Sequence, residues 1–338
     1  MTARLWADAD ALATAALRGY VQAWPHLVTL DGAGSVVRAS PKSNDRVALV
    51  IGNGLGHEPA MAGLIGEGLL DVNVPGRLFE APSSTKICKA LELADRPAGV
   101  LLCVSNHSGD VLNAEMALER HRPSQGPARM VVLGDDVASA PLERQAERRG
   151  TAGLFFAWKI LGAAAEAGLD LEGCVALADR IRRGTRTLSA ALGSATHPIT
   201  GASLVEIAED QAVIGTGVHG EAAGMTLEAP SAEELVAALT DPLIDEFDIV
   251  EGHRVALLVN DAGGLAPTER AALSALISDR LRARGLDVVR TWFGQYATTF
   301  DLRGLAVSLL SLDDELLELY DAPCEGAAFA SLGRGPVG

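Results

Sequence analysis

The sequence predicts an α/β protein of two lobes, with a doubly wound parallel sheet in the N-terminal lobe and a second α/β lobe after it in the chain. The first observation is an alternation, between residues 46 and 137, of short apolar runs with helical patterns of about ten residues, the signature of strand–helix–strand crossovers. The second is that those runs carry no polar alternation, as expected for strands covered on both faces. The third is size: 338 residues, 48% hydrophobic and 21% charged, suffice for a full core and two lobes.

In chain order, the strand candidates of the first lobe are RVALVIG, LLDVNV, AGVLLCVSN and RMVVLGD, with helices expected over Ala60–Gly68, Ser84–Leu93 and Val111–Arg120. Ligands of such sheets sit outside the carboxyl ends of the strands, where the loops 52–58, 105–110 and 134–136 fall. That topology brings His57, Asp110 and the pair Asp135-Asp136 to one edge. Residues 151–184 read as two helices that close the first lobe, with Gly168 suited to a C-cap. Glycines and Pro198 then break the periodicity of ALGSATHPITG, which reads as a crossover. The lobes are therefore expected over 1–190 and 191–338. In the second, strands are expected at Val255–Val259, Leu286–Thr291 and Leu305–Leu312, and a helix from Thr268 to Arg284 after Pro267.

Composition excludes several classes of function. A formal net charge of -16 argues against nucleic acid, because phosphate contacts need clustered Lys and Arg. Cys88, Cys103, Cys174 and Cys324 lie in scattered apolar contexts without CxxC spacing, as reduced core thiols do, and no metal site is expected from them. The N-terminus carries Asp8 and Asp10 and lacks the apolar run of a signal peptide, and no run approaches the roughly 18 apolar residues of a membrane span. A cytoplasmic protein is expected.

Three constellations can carry chemistry. In Gly52-Asn-Gly-Leu-Gly-His-Glu-Pro59, alternate glycines let the backbone approach a ligand and His57 stands in the mouth of the loop; a turn whose His caps the next helix is the plainer alternative. In Ser105-Asn-His-Ser-Gly-Asp110, a strand end and a tight turn lead to a helix opened by a carboxylate, which suits an N-cap, a base, or both. In Ile214-Gly-Thr-Gly-Val-His-Gly-Glu221, the formal GxGxxG lacks the long strand and following helix of a dinucleotide fingerprint. What remains there is His219, flanked by Gly217 and Gly220 and open to a reactant.

The blocks GNGLGHEP, LLCVSNHSGDVLNAEM, VVLGDDVA, RRGTAGLFFAWKILGAAAEAGLDLEG, IGTGVHGEAAG, RVALLVNDAGG and DDELLELYDAP resemble, in order and spacing, the substrate-binding subunits of dihydroxyacetone kinases, from about residue 20 to 325. The resemblance implies that His219 attacks the ketone of a short ketose to form a hemiaminal, that Asp110 is the base on its terminal hydroxyl, and that His57 and Gly54 contact its oxygens. It extends the substrate-binding surface to Asn53, Ser105 and His107. Such an adduct selects ketoses over polyols, which offer no carbonyl carbon.

The chain departs from the pattern at several positions. The family's KNYTGD becomes SNHSGD, so Ser105 replaces a lysine and His107 a tyrosine; Asn53 and Leu55 replace Gly and Ser, and Arg77 takes a position often acidic. Loss of an ammonium changes charge and reach, which makes a four-carbon ketose such as erythrulose a rival substrate. No DGDTG-type motif of the family's nucleotide module occurs. The resemblance thus implies no nucleotide on this chain, and a helical partner subunit that carries Mg-ATP or ADP, charged by ATP or a phosphoenolpyruvate-linked carrier. It further implies a homodimer. A ketose-sensing regulatory paralogue and a lipid-binding relative are the other classes; the first needs no base and the second neither histidine.

Overall fold

A computed structural model describes residues 4–219, 221, 224–247 and 252–333. Contacts divide it into two compact units, neither of them one continuous stretch. One is built mainly from Gly134–Leu154 and Arg183–Asp313, the other from Leu5–Leu133, Phe155–Arg182 and the segment that begins at Asp314. The single boundary expected at 190 does not describe this division. The chain passes from one unit to the other at the end of the strand Ala128–Leu133 and passes back within the helical region.

The unit that starts at Leu5 has the expected parallel sheet. Strands Val72–Leu78, Ala48–Leu55, Val100–Ser105 and Ala128–Leu133 lie side by side and parallel, and Val36–Arg38 and Val28–Leu30 extend the sheet antiparallel at one edge. Val50, Val74, Leu102 and Val104 pack with Ile87, Leu91, Ala94 and Ala117 of helices Ser84–Ala94 and Ser108–Arg120. Leu49, Ile51, Leu101 and Cys103, which alternate with them, are equally buried, so both faces are covered. Each such side chain contributes roughly 1.5–3 kcal/mol by leaving water. Helices Leu154–Ala167 and Leu171–Gly184 follow, separated by Gly168 at φ +98°.

The helix expected over Ala60–Gly68 does not form. A short 3₁₀ turn, Ala62–Leu64, and a two-residue strand, Gly66–Glu67, stand in its place. The glycines explain the difference. Gly68 has φ +67°, and a Cβ on Gly66 would overlap the Glu325 carbonyl oxygen of the strand Cys324–Gly326 with which it pairs.

The other unit holds a six-stranded mixed sheet in the order Met225–Glu228, Gln211–Ile214, Thr185–Ala191, Gly304–Ser311, Arg254–Asp261, Asp287–Gly294, with only the last pair parallel. The strands and the helix Pro267–Ala283 expected here are present. Several of its elements were not legible, among them one helix and one central strand. Helix Ala232–Asp245 starts at a capping box formed by Ser231 and Glu234. Strand Thr185–Ala191 sits in the middle of the sheet although its residues are mostly small or polar; Thr187 Oγ1 donates to Ser308 Oγ at 2.8 Å and Arg186 pairs with Glu246 at 2.8 Å. Leu188, Leu239, Leu257, Ile277 and Val307 make up its core.

Asp135 and Asp136 follow directly on the carboxyl end of the strand Ala128–Leu133 and belong to this unit. Asp135 is fully buried and accepts from Thr151 N at 2.6 Å, Thr151 Oγ1 at 2.8 Å and Gly153 N at 2.8 Å. Burial raises its carboxyl to about 6 even against those donors. It is a structural anchor. The four cysteines are unpaired thiols, three of them buried. Among the described residues no helix is long and apolar enough to cross a membrane.

Candidate functional site

Each unit presents a glycine loop with one histidine. In the first, the strand Ala48–Leu55 runs straight into Gly56 and His57. The glycines answer to a neighbouring segment rather than to open space. A Cβ on Gly52 would lie 2.7 Å from Pro82 Cγ, one on Gly54 2.9 Å from Glu80 N, and one on Gly56 (φ +105°) would overlap the Phe79 ring. The loop after Val72–Leu78 therefore packs directly on the loop after Ala48–Leu55. Phe79 sets its ring edge-on to His57, 5.7 Å between centroids. His57 is half-buried and does not cap an α-helix.

Asn53 is spent within the protein: its Nδ2 donates to Gly54 O at 2.9 Å and Ala60 O at 3.2 Å, and its Oδ1 accepts from Asn73 Nδ2. The same edge carries Ser105, which ends its strand half-buried with its carbonyl bonded to His107 N at 2.7 Å. His107, and not Asp110, is the N-cap of helix Ser108–Arg120, and it caps without a side-chain bond. Asp110 stands in the first turn, half-buried, where the helix dipole favours its negative charge. The N-cap alternative for Asp110 is thereby corrected. His57, Gly54, Ser105, His107 and Asp110 are all at the carboxyl edge of one parallel sheet, as the topology predicted. Arg77, the departure in charge, is exposed and pairs with Asp10 at 3.0 Å.

The second loop is fixed by its own sheet. Gly215 turns at φ +85° and donates to Ser189 O at 2.7 Å. Ser189 Oγ donates to Thr216 O, and Thr299 Oγ1 to Val218 O at 2.8 Å. His219 follows, its side chain 35% exposed. Its backbone N–H donates to Glu221 Oε2 at 2.9 Å, and its Nδ1 faces Glu221 Oε1 at 3.3 Å. Burial pushes the Glu221 carboxyl up, but the His219 ring and the main-chain N–H groups of Glu221 and His219 outweigh it and bring it down to about 2. An ionised carboxylate only accepts, so the ring presents an N–H to it at Nδ1. Gly217 makes the contact possible, since a Cβ there would overlap Glu221 Oε2. Gly220 lies outside the described residues. Glu221 is a candidate that the sequence did not single out; its signal is the spacing in Val218-His-Gly-Glu221, which lets a carboxylate fold back on the ring.

The Dak1 domain model matches residues 18–328. The chain belongs to the Dak1 domain family. The resemblance found in the sequence is borne out, and with it the two-lobed α/β fold. This Dak1 chain is 35% identical over 300 residues to an L-erythrulose kinase of Pectobacterium atrosepticum, with 88% of the chain and 51% of the relative covered. It is 36% identical over 282 residues to a PTS-dependent dihydroxyacetone kinase 1, dihydroxyacetone-binding subunit DhaK, of Listeria innocua, with 83% and 85% covered. It spans about half the length of the erythrulose kinases it matches. Among solved structures, a dihydroxyacetone kinase operon co-activator, Dha-DhaQ, superimposes with a TM-score of 0.87 at 26% identity, with 94% of this chain and 98% of that chain covered.

Proposed function

We propose that this Dak1 domain binds a short ketose covalently through His219 and presents its terminal hydroxyl for phosphorylation by a nucleotide-bearing partner. The observation that carries the reading is the His219–Glu221 pair on a pinned loop, which directs the Nδ1 proton to a carboxylate and leaves the attack to Nε2. Nε2 attacks the ketone carbon, the π pair moves to oxygen, and that oxygen takes a proton. Glu221 balances the charge left on the ring until the Nδ1 proton departs to solvent. His57 is assigned as the acid toward the new hydroxyl, and Asp110 as the base that deprotonates the terminal hydroxyl for in-line transfer. Gly54, Ser105 and His107 are assigned to its remaining oxygens. Asn53 is assigned a supporting role, since its carboxamide is engaged by the loop.

Both dihydroxyacetone and erythrulose fit this chemistry, and the relatives named for each support them equally. Mg-ATP or ADP is assigned to the helical partner, and a cytoplasmic homodimer completes the proposal. The test is nuclear magnetic resonance with a ketose labelled with carbon-13 at the carbonyl. The wild type should move the ketone signal to a tetrahedral carbon and His219→Ala should not. Equal ketose binding by both proteins would overturn the covalent reading.

A second reading, a ketose sensor that does not transfer phosphate, is favoured by the likeness to the operon co-activator. Asp110→Asn separates the two. As a kinase, the variant should keep the adduct while phosphoryl transfer, with the partner in excess, falls by roughly 10²–10⁴. Unchanged turnover would remove Asp110 from the mechanism.

A further inference from the structure

Arg149 is held on every side by one turn. Its carbonyl oxygen accepts from Asp135 N at 2.9 Å and Asp136 N at 3.1 Å, and its N–H donates to Ser139 Oγ at 3.0 Å. Its Nε and Nη2 both donate to Asp136 Oδ2, at 3.0 and 2.7 Å. The Asp136 side chain is 2% exposed, and a buried carboxylate needs such a partner. One arm of the guanidinium is left over. Nη1 faces Glu221 Oε2 at 3.7 Å, the oxygen that also accepts the main-chain N–H of His219. Gly217 is required here too, because a Cβ on it would lie 2.9 Å from Nη1.

We propose that Arg149, anchored by Asp136, is a positioning residue that holds Glu221 in place and so sets the tautomer of His219. The order of charges is Asp136, Arg149, Glu221, then the imidazole, all on segments of the same unit. A planar guanidinium can serve two carboxylates at once in a fixed geometry, which a flexible ammonium cannot. The inference rests on the reading of His219 as the ketose nucleophile. The simpler role, neutralising Asp136, would leave the histidine unaffected by the loss of Arg149.

The experiment uses the full chain with nitrogen-15 histidine. The ring shifts of His219 report its tautomer without any ketose, and carbonyl-labelled dihydroxyacetone reports the rate of adduct formation. Arg149→Gln keeps a donor for Asp136 but removes the charge that faces Glu221. It should spread His219 over both tautomers and slow the adduct about 10–100-fold, the usual effect of losing a supporting partner. Combined with Glu221→Gln it should add little further loss. An unchanged tautomer and rate in folded Arg149→Gln would overturn the inference. Should that variant not fold, Arg149→Lys is read in the same way, with a smaller loss expected, and unchanged values in it are equally fatal. If the wild type forms no adduct, the covalent reading fails, while the tautomer comparison still decides the role of Arg149.

Discussion

The two histidine loops share a pattern, alternate glycines followed by a histidine and a glutamate, but use it for different ends. In the loop with His57 the glycines make room for protein: Gly54 meets the backbone of Glu80 and Gly56 the ring of Phe79. In the loop with His219, Gly217 makes room for a carboxylate. The two glutamates differ accordingly. Glu58 accepts from Gly56 N at 2.9 Å, and burial pushes its carboxyl above the ordinary 4.5, while Glu221 is brought down to about 2. A glycine-histidine motif alone therefore does not say whether its histidine is electrostatically tuned; the position of the next carboxylate does.

The sharpest way to break this comparison is to add one methyl group to each loop. Gly217→Ala displaces the Glu221 carboxylate, and adduct formation should fall on the order of 10²-fold, as misplacement of a catalytic group by about an ångström does. The carbon-13 adduct assay measures it. Gly54→Ala should instead cost stability, about 1–3 kcal/mol, because its neighbours are backbone atoms that cannot step aside. Its thermal midpoint should drop while the rate per folded molecule changes less than for Gly217→Ala. The reverse ranking would show that the two loops had been assigned the wrong way round.

A smaller effect separates the glutamates by pH. The folded value of Glu221 is depressed, so its contribution is complete above about 4.5 and is lost as pH falls toward 2. Glu58 has the opposite sign: its value is raised, so the fold favours the protonated form, and stability is lost as pH rises from 4.5 through the raised value. Denaturation of Glu221→Gln should show a penalty at pH 6 that shrinks below pH 4. Glu58→Gln should gain on the wild type between pH 4 and 6. Parallel pH dependence in the two variants would contradict the contrast.

The parallel sheet and its loaded edge were legible because long apolar strands and the helices between them leave few alternatives. Ala60–Gly68 misled because its apolar spacing is helical while its glycines are dictated by partners such as Glu325 that are far away in sequence. Thr185–Ala191 was hidden because a strand central to a mixed sheet can satisfy threonine and arginine through partners such as Ser308 and Glu246, which no local pattern reveals. His219, Asp110 and His57 were legible as chemistry-bearing types in open loops. Glu221 was not, because its importance lies in an angle and a distance to the ring rather than in composition.

The strand Gly66–Glu67 pairs with Cys324–Gly326, which in turn pairs with Ala330–Ser331. During synthesis the first of these partners leaves the ribosome on the order of tens of seconds before the second. Until then the main-chain groups of Gly66 and Glu67 have no ladder to join. The three-stranded sheet of that unit therefore waits for Cys324–Gly326, and a nascent chain arrested before Cys324 would carry an open edge for chaperones to cover.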